Sequence, residues 1–177
     1  RALLRATGEE TAWFLRVASP TVDQVTVFTS RDGIQWRRAD AGDQVPMSRQ
    51  QLRAPMPLFS LPAQFPDDNT APLHLLVRIR HVGAFSAPVE ILDQDTLMRQ
   101  RYSAALLFGA YFGLAALLAS AAAARGVRTR SLALLSFAGF VVFVSVAMAA
   151  HLGLAGLYLW PDLPEWNNWS KFVLLGV

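Results

Sequence analysis

Two long runs without a charged side chain, residues 102–124 and 132–150, constrain this chain more than any other feature. At a helical rise of about 1.5 Å per residue these runs would reach roughly 34 Å and roughly 28 Å, and a bilayer core is ~30 Å thick. The alternative is a pair of buried helices in a soluble protein, but such helices normally keep a polar face and these runs have none. The sequence therefore predicts transmembrane helices at about 102–124 and 132–157, with a third starting at about 170–177.

Three arginines between the two runs predict how the helices are oriented. Arg125, Arg128 and Arg130 would each cost about 2.5–3.5 kcal/mol at the bilayer centre, so we expect them in a short hairpin outside the membrane. Short loops rich in arginine stay on the cytoplasmic side, which would place residues 1–100 outside the cell membrane. Two arginines at the other end of the first run form a smaller, opposing set.

The formal net charge of +3 is not spread evenly along the chain. Residues 1–100 hold 11 arginines and 11 acidic side chains, whereas residues 101–177 hold 5 basic and 2 acidic ones. The excess therefore reports membrane topology rather than the clustered basic face of a nucleic-acid-binding domain, and we expect no nucleic-acid partner. The chain has no cysteine, which excludes a disulfide scaffold and a thiolate metal site.

Apolar and polar side chains alternate with a period of two in the first 95 residues, which is typical of half-buried strands. The alternation occurs at residues 13–17, 25–28, 73–80 and 89–91. Turn-forming residues separate these runs, and prolines between positions 46 and 72 confine the middle region to edges and loops. We predict an all-β sandwich or jelly-roll domain over residues 1–97, followed by an α-helical transmembrane region over 98–177.

Several short motifs follow one another along nearly the whole chain. In the N-terminal part they are Trp13-Phe-Leu-Arg16, Val22-Asp-Gln-Val-Thr-Val-Phe28, Gly42-Asp43, Ser48-Arg49, Pro57-Leu-Phe-Ser-Leu61 and Leu75-Leu-Val-Arg78. In the C-terminal part they are Gly109-Ala-Tyr-Phe-Gly113, Gly156-Leu-Tyr-Leu-Trp160-Pro161 and Pro164-Glu-Trp166. This series resembles the bacterial seven-transmembrane receptors with diverse intracellular signalling modules, in which a periplasmic jelly-roll domain precedes seven helices and a cytoplasmic output domain.

The resemblance implies a multi-pass receptor of the bacterial inner membrane whose periplasmic domain binds a carbohydrate or another small ligand. Residues 171–177 look like the first turns of a third apolar helix, so we expect the chain to be an interior part of a longer protein; a short last segment at the membrane interface is the alternative. The resemblance implies further helices and an output domain such as a histidine kinase or diguanylate cyclase. We expect membrane lipid and the small ligand as partners, a homodimer as a further option, and neither a cofactor nor catalysis in this chain. The alternative function is a membrane-tethered carbohydrate-binding or adhesion module without signalling.

Six residues of the N-terminal part are candidate ligand contacts: Trp36, Asp43, Arg49, His74, Arg78 and Arg80. On a strand, His74, Arg78 and Arg80 would share one face. Arginine offers a planar fork of donors, so this face could bind an anionic or polyhydroxyl ligand. The structural alternative, a solvated outer face of a strand, is the more common situation.

The other three candidates have structural alternatives of their own. Asp43 and Arg49 lie in a long loop region, where binding residues often occur, but they could equally form a salt bridge with each other or with Arg78. Trp36 follows the turn at residues 32–33 and could stack on a sugar ring or be a half-buried strand aromatic.

The sequence indicates neither a metal site nor a catalytic site. His74 and His81 are an odd number of residues apart, so on one strand they would point to opposite faces. Three pairs of aspartates, at positions 40 and 43, 67 and 68, and 93 and 95, fall in predicted turns or linkers, where we expect them to be solvated.

Small residues mark one face of the first predicted helix. Gly109 and Gly113, extended by two alanines, would let another helix approach closely. Packing within the helix bundle and a homodimer seam are the two interpretations, and packing within the bundle is the favoured one. At the interface between the membrane and the outside, we expect a belt of aromatic residues formed by Tyr158, Trp160, Trp166 and Trp169.

Overall fold

The computed structural model describes residues 12–61, 73–82 and 88–175. Within these ranges six strands precede four α-helices, and a short 3-10 helix, Met47–Arg49, lies between the third and fourth strands. The strands are β1 (Trp13–Val17), β2 (Gln24–Ser30), β3 (Arg37–Ala41), β4 (Leu58–Leu61), β5 (His74–Arg80) and β6 (Val89–Asp93). The helices are α1 (Gln94–Thr129), α2 (Leu132–His151), α3 (Leu154–Tyr158) and α4 (Pro164–Leu175). The predicted fold class, an all-β domain followed by apolar helices, is confirmed.

The six strands, here called the β domain, form two antiparallel three-stranded sheets with the orders β4-β1-β6 and β3-β2-β5. Leu15, Val25 and Phe59 are at most 1% exposed in the core cluster that both sheets contribute to. The predicted alternation on β5 is confirmed residue by residue, since its odd-numbered side chains pack against this core and its even-numbered ones are exposed. A jelly roll has eight strands in two Greek keys, and that finer arrangement stays a prediction.

The aspartate pairs do not all lie where we predicted them. Asp40 was expected in a solvated turn, and this is wrong, because it lies within β3. A hydrogen bond of 2.7 Å from the Thr26 hydroxyl across the β2–β3 pair satisfies the carboxylate there. Asp93 ends β6, and the pair at 67 and 68 lies outside the residues that the structure describes, as do the prolines at 62, 66 and 72.

Helix α1 follows β6 without a linker and is longer than the uncharged run at both ends. The Asp93 carboxylate accepts a hydrogen bond from the Thr96 amide at 3.3 Å and caps the first turn. The 36 residues of α1 would span about 54 Å, well beyond the thickness of a bilayer core. Arg125 and Arg128 belong to the last turns of this helix rather than to a hairpin loop. The turn that leads to α2 is therefore shorter than predicted.

The second helix also differs from its predicted span of 132–157. It ends at His151, and a separate short helix follows after Gly153, whose φ of 75° lies in the left-handed region. A Cβ at this position would collide with the carbonyl of Pro55 in the β domain, so the break coincides with a close approach between the two regions. The last helix begins at Pro164 rather than at about 170.

Most apolar side chains of α1 and α2 are exposed. In the described part of the chain these two helices are long and apolar enough to cross a membrane, since each contains an 18-residue stretch with a mean hydropathy of 1.9 in α1 and 2.4 in α2. Helix α1 packs against α2, and Gly126 lies at their contact. The less exposed positions of α1 recur every three or four residues: Ala104, Phe108, Phe112, Ala115, Ala119, Ala122 and Gly126. The remaining surface would be in contact with lipid or with further helices.

Candidate functional site

Four of the six predicted ligand contacts lie on the outer face of the β3-β2-β5 sheet. His74, Arg78 and Arg80 are exposed on β5, as their spacing predicted. Trp36 directly precedes β3 and is 39% exposed, and its ring centroid lies 6.5 Å from that of His74 at an angle of 60°. The sheet therefore brings Trp36 and His74 together at one end of a face that continues to Arg78 and Arg80.

Asp40 organises the polar side chains in the middle of the same face. Its carboxylate accepts hydrogen bonds from the Arg38 guanidinium at 2.9 and 3.1 Å and from the Thr26 hydroxyl at 2.7 Å. Burial raises the pKa of the Asp40 carboxyl, but the hydrogen bonds from these two residues and the charge of Arg38 outweigh it, so the pKa lies below its ordinary value. The carboxylate thus stays ionised and neutralises Arg38.

A groove of about 700 Å³ opens beside β3, between the edge strands of the two sheets. The apolar part of its lining consists of the half-buried Ala39, Val45 and Pro46 together with Val27 and Phe59, which are 2% and 1% exposed. We call this cavity the edge groove. Polar groups from β3, β4 and the loop between them surround it: Arg37, Arg38, Gln44, Arg49, Gln51 and Ser60.

Arg49 is the predicted contact that lines the edge groove, and Arg37 is a second arginine that sequence reasoning missed. Neither guanidinium forms a hydrogen bond or an ion pair with any residue of the described ranges. Arg37 has the same strand parity as Ala39 and Ala41, which point inward, and this parity was the available signal. Two unpaired guanidinium groups therefore face one cavity.

The β3–β4 loop (residues 42–57) holds Arg49 in place and is itself firmly fixed. Gly42 has a φ of 128°, and a Cβ there would lie 2.7 Å from the carbonyl oxygen of Asp23. The buried amide of Gln50 donates to the carbonyls of Gly42 and Val45 at 3.1 and 2.9 Å. The close approach at Gly42 and the hydrogen bonds of Gln50 fix the backbone of the loop, so the loop can transmit a displacement to its neighbours.

The same loop makes polar contacts with the helices. The Asp43 carboxylate accepts a hydrogen bond of 3.0 Å from the side-chain amide of Asn167 on α4, and Asn167 accepts one of 3.2 Å from the indole of Trp160. The Met47 amide donates to the carbonyl of Pro161 at 2.9 Å. Asn167 is only 5% exposed, so the amide is part of a buried polar network between the two regions.

Apolar packing accompanies these hydrogen bonds at the start of α1. Leu97, which is 3% exposed, packs with Ala54 and Leu58 in a small second core. Arg101 on the next turn of α1 donates to the carbonyl of Arg53 at 3.4 Å. The β3–β4 loop therefore contacts the first helix, the break after α2 and the last helix, and we call this set of contacts the domain junction.

The domain junction changes the interpretation of two predicted residues. Asp43 does not line the edge groove and is instead bonded to Asn167, a partner 124 positions away. Trp160, assigned from the sequence to the aromatic belt, is bonded to the same amide. Its ring lies 6.3 Å from that of Trp166. The other members of the predicted belt are exposed: Tyr158, Trp166 and Trp169. The sequence signal for Asn167 was a pair of asparagines, Asn167 and Asn168, between two tryptophans.

The predicted small-residue face of α1 is not used by the helices that the structure describes. A Cβ at Gly109 or Gly113 would meet nothing within 4 Å. The glycine that does meet α2 is Gly126, where a Cβ would lie 3.0 Å from the side chain of Leu135. Both interpretations of the face, bundle packing and a homodimer seam, stay predictions. In the described ranges no cluster of three His, Asp or Glu side chains could hold a metal ion.

Comparison with known proteins assigns both halves of the chain. The family model described as 7TMR-DISM extracellular 2 matches residues 2–93, which include the whole β domain. The chain belongs to the seven-transmembrane receptors with diverse intracellular signalling modules. The model described as 7TM diverse intracellular signalling matches residues 104–177, which confirms the predicted resemblance. This receptor therefore has an extracellular β domain and transmembrane helices. Neither the curated proteins nor the solved structures gave a match.

Proposed function

We propose that this chain is the sensory portion of a bacterial inner-membrane receptor whose periplasmic β domain binds a small ligand, such as a carbohydrate, in the edge groove. The β3–β4 loop would carry the signal to the helices. One observation supports this proposal most directly. The loop lines the edge groove through Gln44, Arg49 and Gln51, and contacts the helices through Asp43 and Met47.

The coupling follows from a difference in affinity between two states. A ligand that binds better to one position of Arg49 favours that position over the other. Met47 lies in the same short 3-10 helix, Met47–Arg49, and its amide is bonded to Pro161. The hydrogen bond from Gln50 to the carbonyl of Gly42 fixes the backbone of the loop, so the loop moves as a unit. A displacement at Arg49 therefore changes the contact between Met47 and Pro161, and with it the packing of the helices.

The absence of cysteine from the sequence allows a clean fluorescence test of this coupling. A bimane label on Ser48→Cys, an exposed position next to the Met47–Pro161 hydrogen bond, would report the proximity of the loop to Trp160. We expect a bound ligand to change the tryptophan quenching of this label in the full chain in nanodiscs. The effect should vanish in the Trp160→Phe background. Glucose and glucuronate are the first probes.

A label on Val82→Cys, which is 83% exposed on the β domain, is the matched control and should not respond. Asn167→Ala removes the amide that bonds Asp43 and Trp160, and should abolish the response at Ser48 while calorimetry still detects ligand binding. A probe that binds and leaves the Ser48 label unchanged would contradict coupling. That outcome would favour the alternative function, a membrane-tethered binding or adhesion module without signalling.

A further inference from the structure

We infer that the edge groove is selective for a sugar-sized ligand that carries a carboxylate, an acidic sugar rather than a neutral one. This inference rests on the proposed function for the site, but it concerns the chemistry of the ligand and not the coupling to the helices. It follows from the charges that line the groove and from its volume and apolar lining.

The charges in the groove are not balanced. Of the described residues that line it, three are arginines and Asp40 alone is acidic. Asp40 is paired with Arg38 at 2.9 Å and receives a further hydrogen bond from Thr26, so the charges of this pair cancel. The groove therefore retains the two positive charges of Arg37 and Arg49, both without a partner among the described residues.

The two arginines come from different elements of the groove lining. Arg37 begins the edge strand β3, and Arg49 ends the short helix in the β3–β4 loop. A guanidinium group binds a carboxylate through two parallel hydrogen bonds, which gives both affinity and orientation. A carboxylate bound in the groove would offset positive charge that Arg37 and Arg49 contribute to the lining.

The rest of the lining fits a small hydroxylated ring. A volume of about 700 Å³ lies within the range of roughly 300–1,000 Å³ that is usual for small-molecule sites. The half-buried Val45 and Pro46 of the lining offer an apolar surface for one face of a ring, and the exposed Gln44 amide can bond hydroxyl groups. A small inorganic anion would satisfy the arginines but would leave the apolar lining uncovered.

Binding should be measured by calorimetry on the full chain in nanodiscs, with sugars matched in everything but charge. Glucuronate and glucose differ at one carbon, as do galacturonate and galactose. We expect at least one of the two acids to bind tenfold or more tightly than its neutral partner, and to lose affinity as ionic strength rises. Acetate and inorganic phosphate test whether an anion alone suffices, and we expect both to bind at least tenfold more weakly than the sugar acid.

Two groove variants and one control variant locate the site. Arg37→Gln and Arg49→Gln should each lower the affinity for the sugar acid about tenfold or more, because each removes a charged hydrogen bond. Arg78→Gln changes an exposed arginine on β5, outside the groove lining, and should leave the affinity unchanged. Unaltered thermal midpoints of the variants will show that the fold is intact.

Four results would overturn the inference: no binding of either acid at millimolar concentration, equal affinities within both pairs, equally tight binding of acetate or phosphate, or a loss in Arg78→Gln as large as in the groove variants.

Failure of the proposed coupling to the helices would give a different pattern of results. A sugar acid that binds through Arg37 and Arg49 without changing the Ser48 label would support the ligand class and contradict the coupling. A neutral sugar that binds best and changes the label would do the reverse.

Discussion

The β domain and the two long helices bury their apolar side chains in opposite ways. In the β domain, Leu15, Val25 and Phe59 are at most 1% exposed and pack against each other. On α1, Leu106 and Leu117 are 75% and 65% exposed. One chain therefore removes its apolar surface from water in two different ways. The β domain removes apolar area from water by packing, and the helices do so by entering lipid.

The domain junction combines apolar packing around Leu97 with a buried polar network. Asn167 is 5% exposed there and forms hydrogen bonds with Asp43 and Trp160. A buried hydrogen bond depends strongly on distance and direction, whereas apolar packing tolerates sliding. A junction of this kind is therefore suited to fix the position of the β domain relative to the helices.

Truncating one large apolar side chain in each region should give the largest contrast. We expect Phe59→Ala to lower the free energy of unfolding of the β domain by about 3–5 kcal/mol, because it removes a large side chain that is 1% exposed in the core. Leu114→Ala on the exposed surface of α1 should change it by less than ~0.5 kcal/mol. Urea unfolding of the full chain in detergent, followed by tryptophan fluorescence, measures both. Similar losses in the two variants would contradict the comparison.

Alanine at one glycine of each region tests how tightly the backbone is packed in the β domain and on α1. Gly42→Ala should destabilise the β domain by about 1–3 kcal/mol, since the position has a left-handed φ and a Cβ would strike the carbonyl of Asp23. Gly109→Ala should not lower stability, because a Cβ there meets nothing within 4 Å and alanine favours the helix. Thermal midpoints of the full chain test this pair. A loss of stability in Gly109→Ala would reveal that the small-residue face is packed.

The smallest expected effect lies where β6 passes into α1. Hydrogen bonds from Thr96 lower the pKa of the Asp93 carboxyl below its ordinary value of 3.8. The ionised cap therefore contributes stability above that value, and the contribution is lost as the pH falls through the lowered pKa. Asparagine also caps helices but carries no charge, so Asp93→Asn should be slightly less stable than the native chain at pH 7.

The thermal midpoints of Asp93→Asn and the native chain should converge as the pH approaches 3. Their difference should stay constant between pH 5 and 7, since the carboxylate is ionised in both the folded and the unfolded state over that range. A difference that grows on acidification would contradict the assigned direction of the pKa shift.

Local periodicity was enough to predict a large part of this molecule. The uncharged runs predicted α1 and α2, and the alternation on β5 predicted the burial of every residue in that strand. It also placed His74, Arg78 and Arg80 on one exposed face. These predictions succeed because burial along a single helix or strand repeats with the geometry of the backbone.

The remaining features depend on residues that are distant in the sequence. The break at Gly153 coincides with the close approach of Pro55, and Asp43 meets an amide on the last helix. The edge groove exists because β3 and β4 end up at neighbouring sheet edges, which no spacing along the chain specifies. Composition and period are enough to predict the type of each long element and whether it meets water or lipid, because both properties repeat with the backbone geometry of a single element. Which side chains share the groove and the domain junction depends on how separate elements pack in space, and that is visible only in the folded molecule.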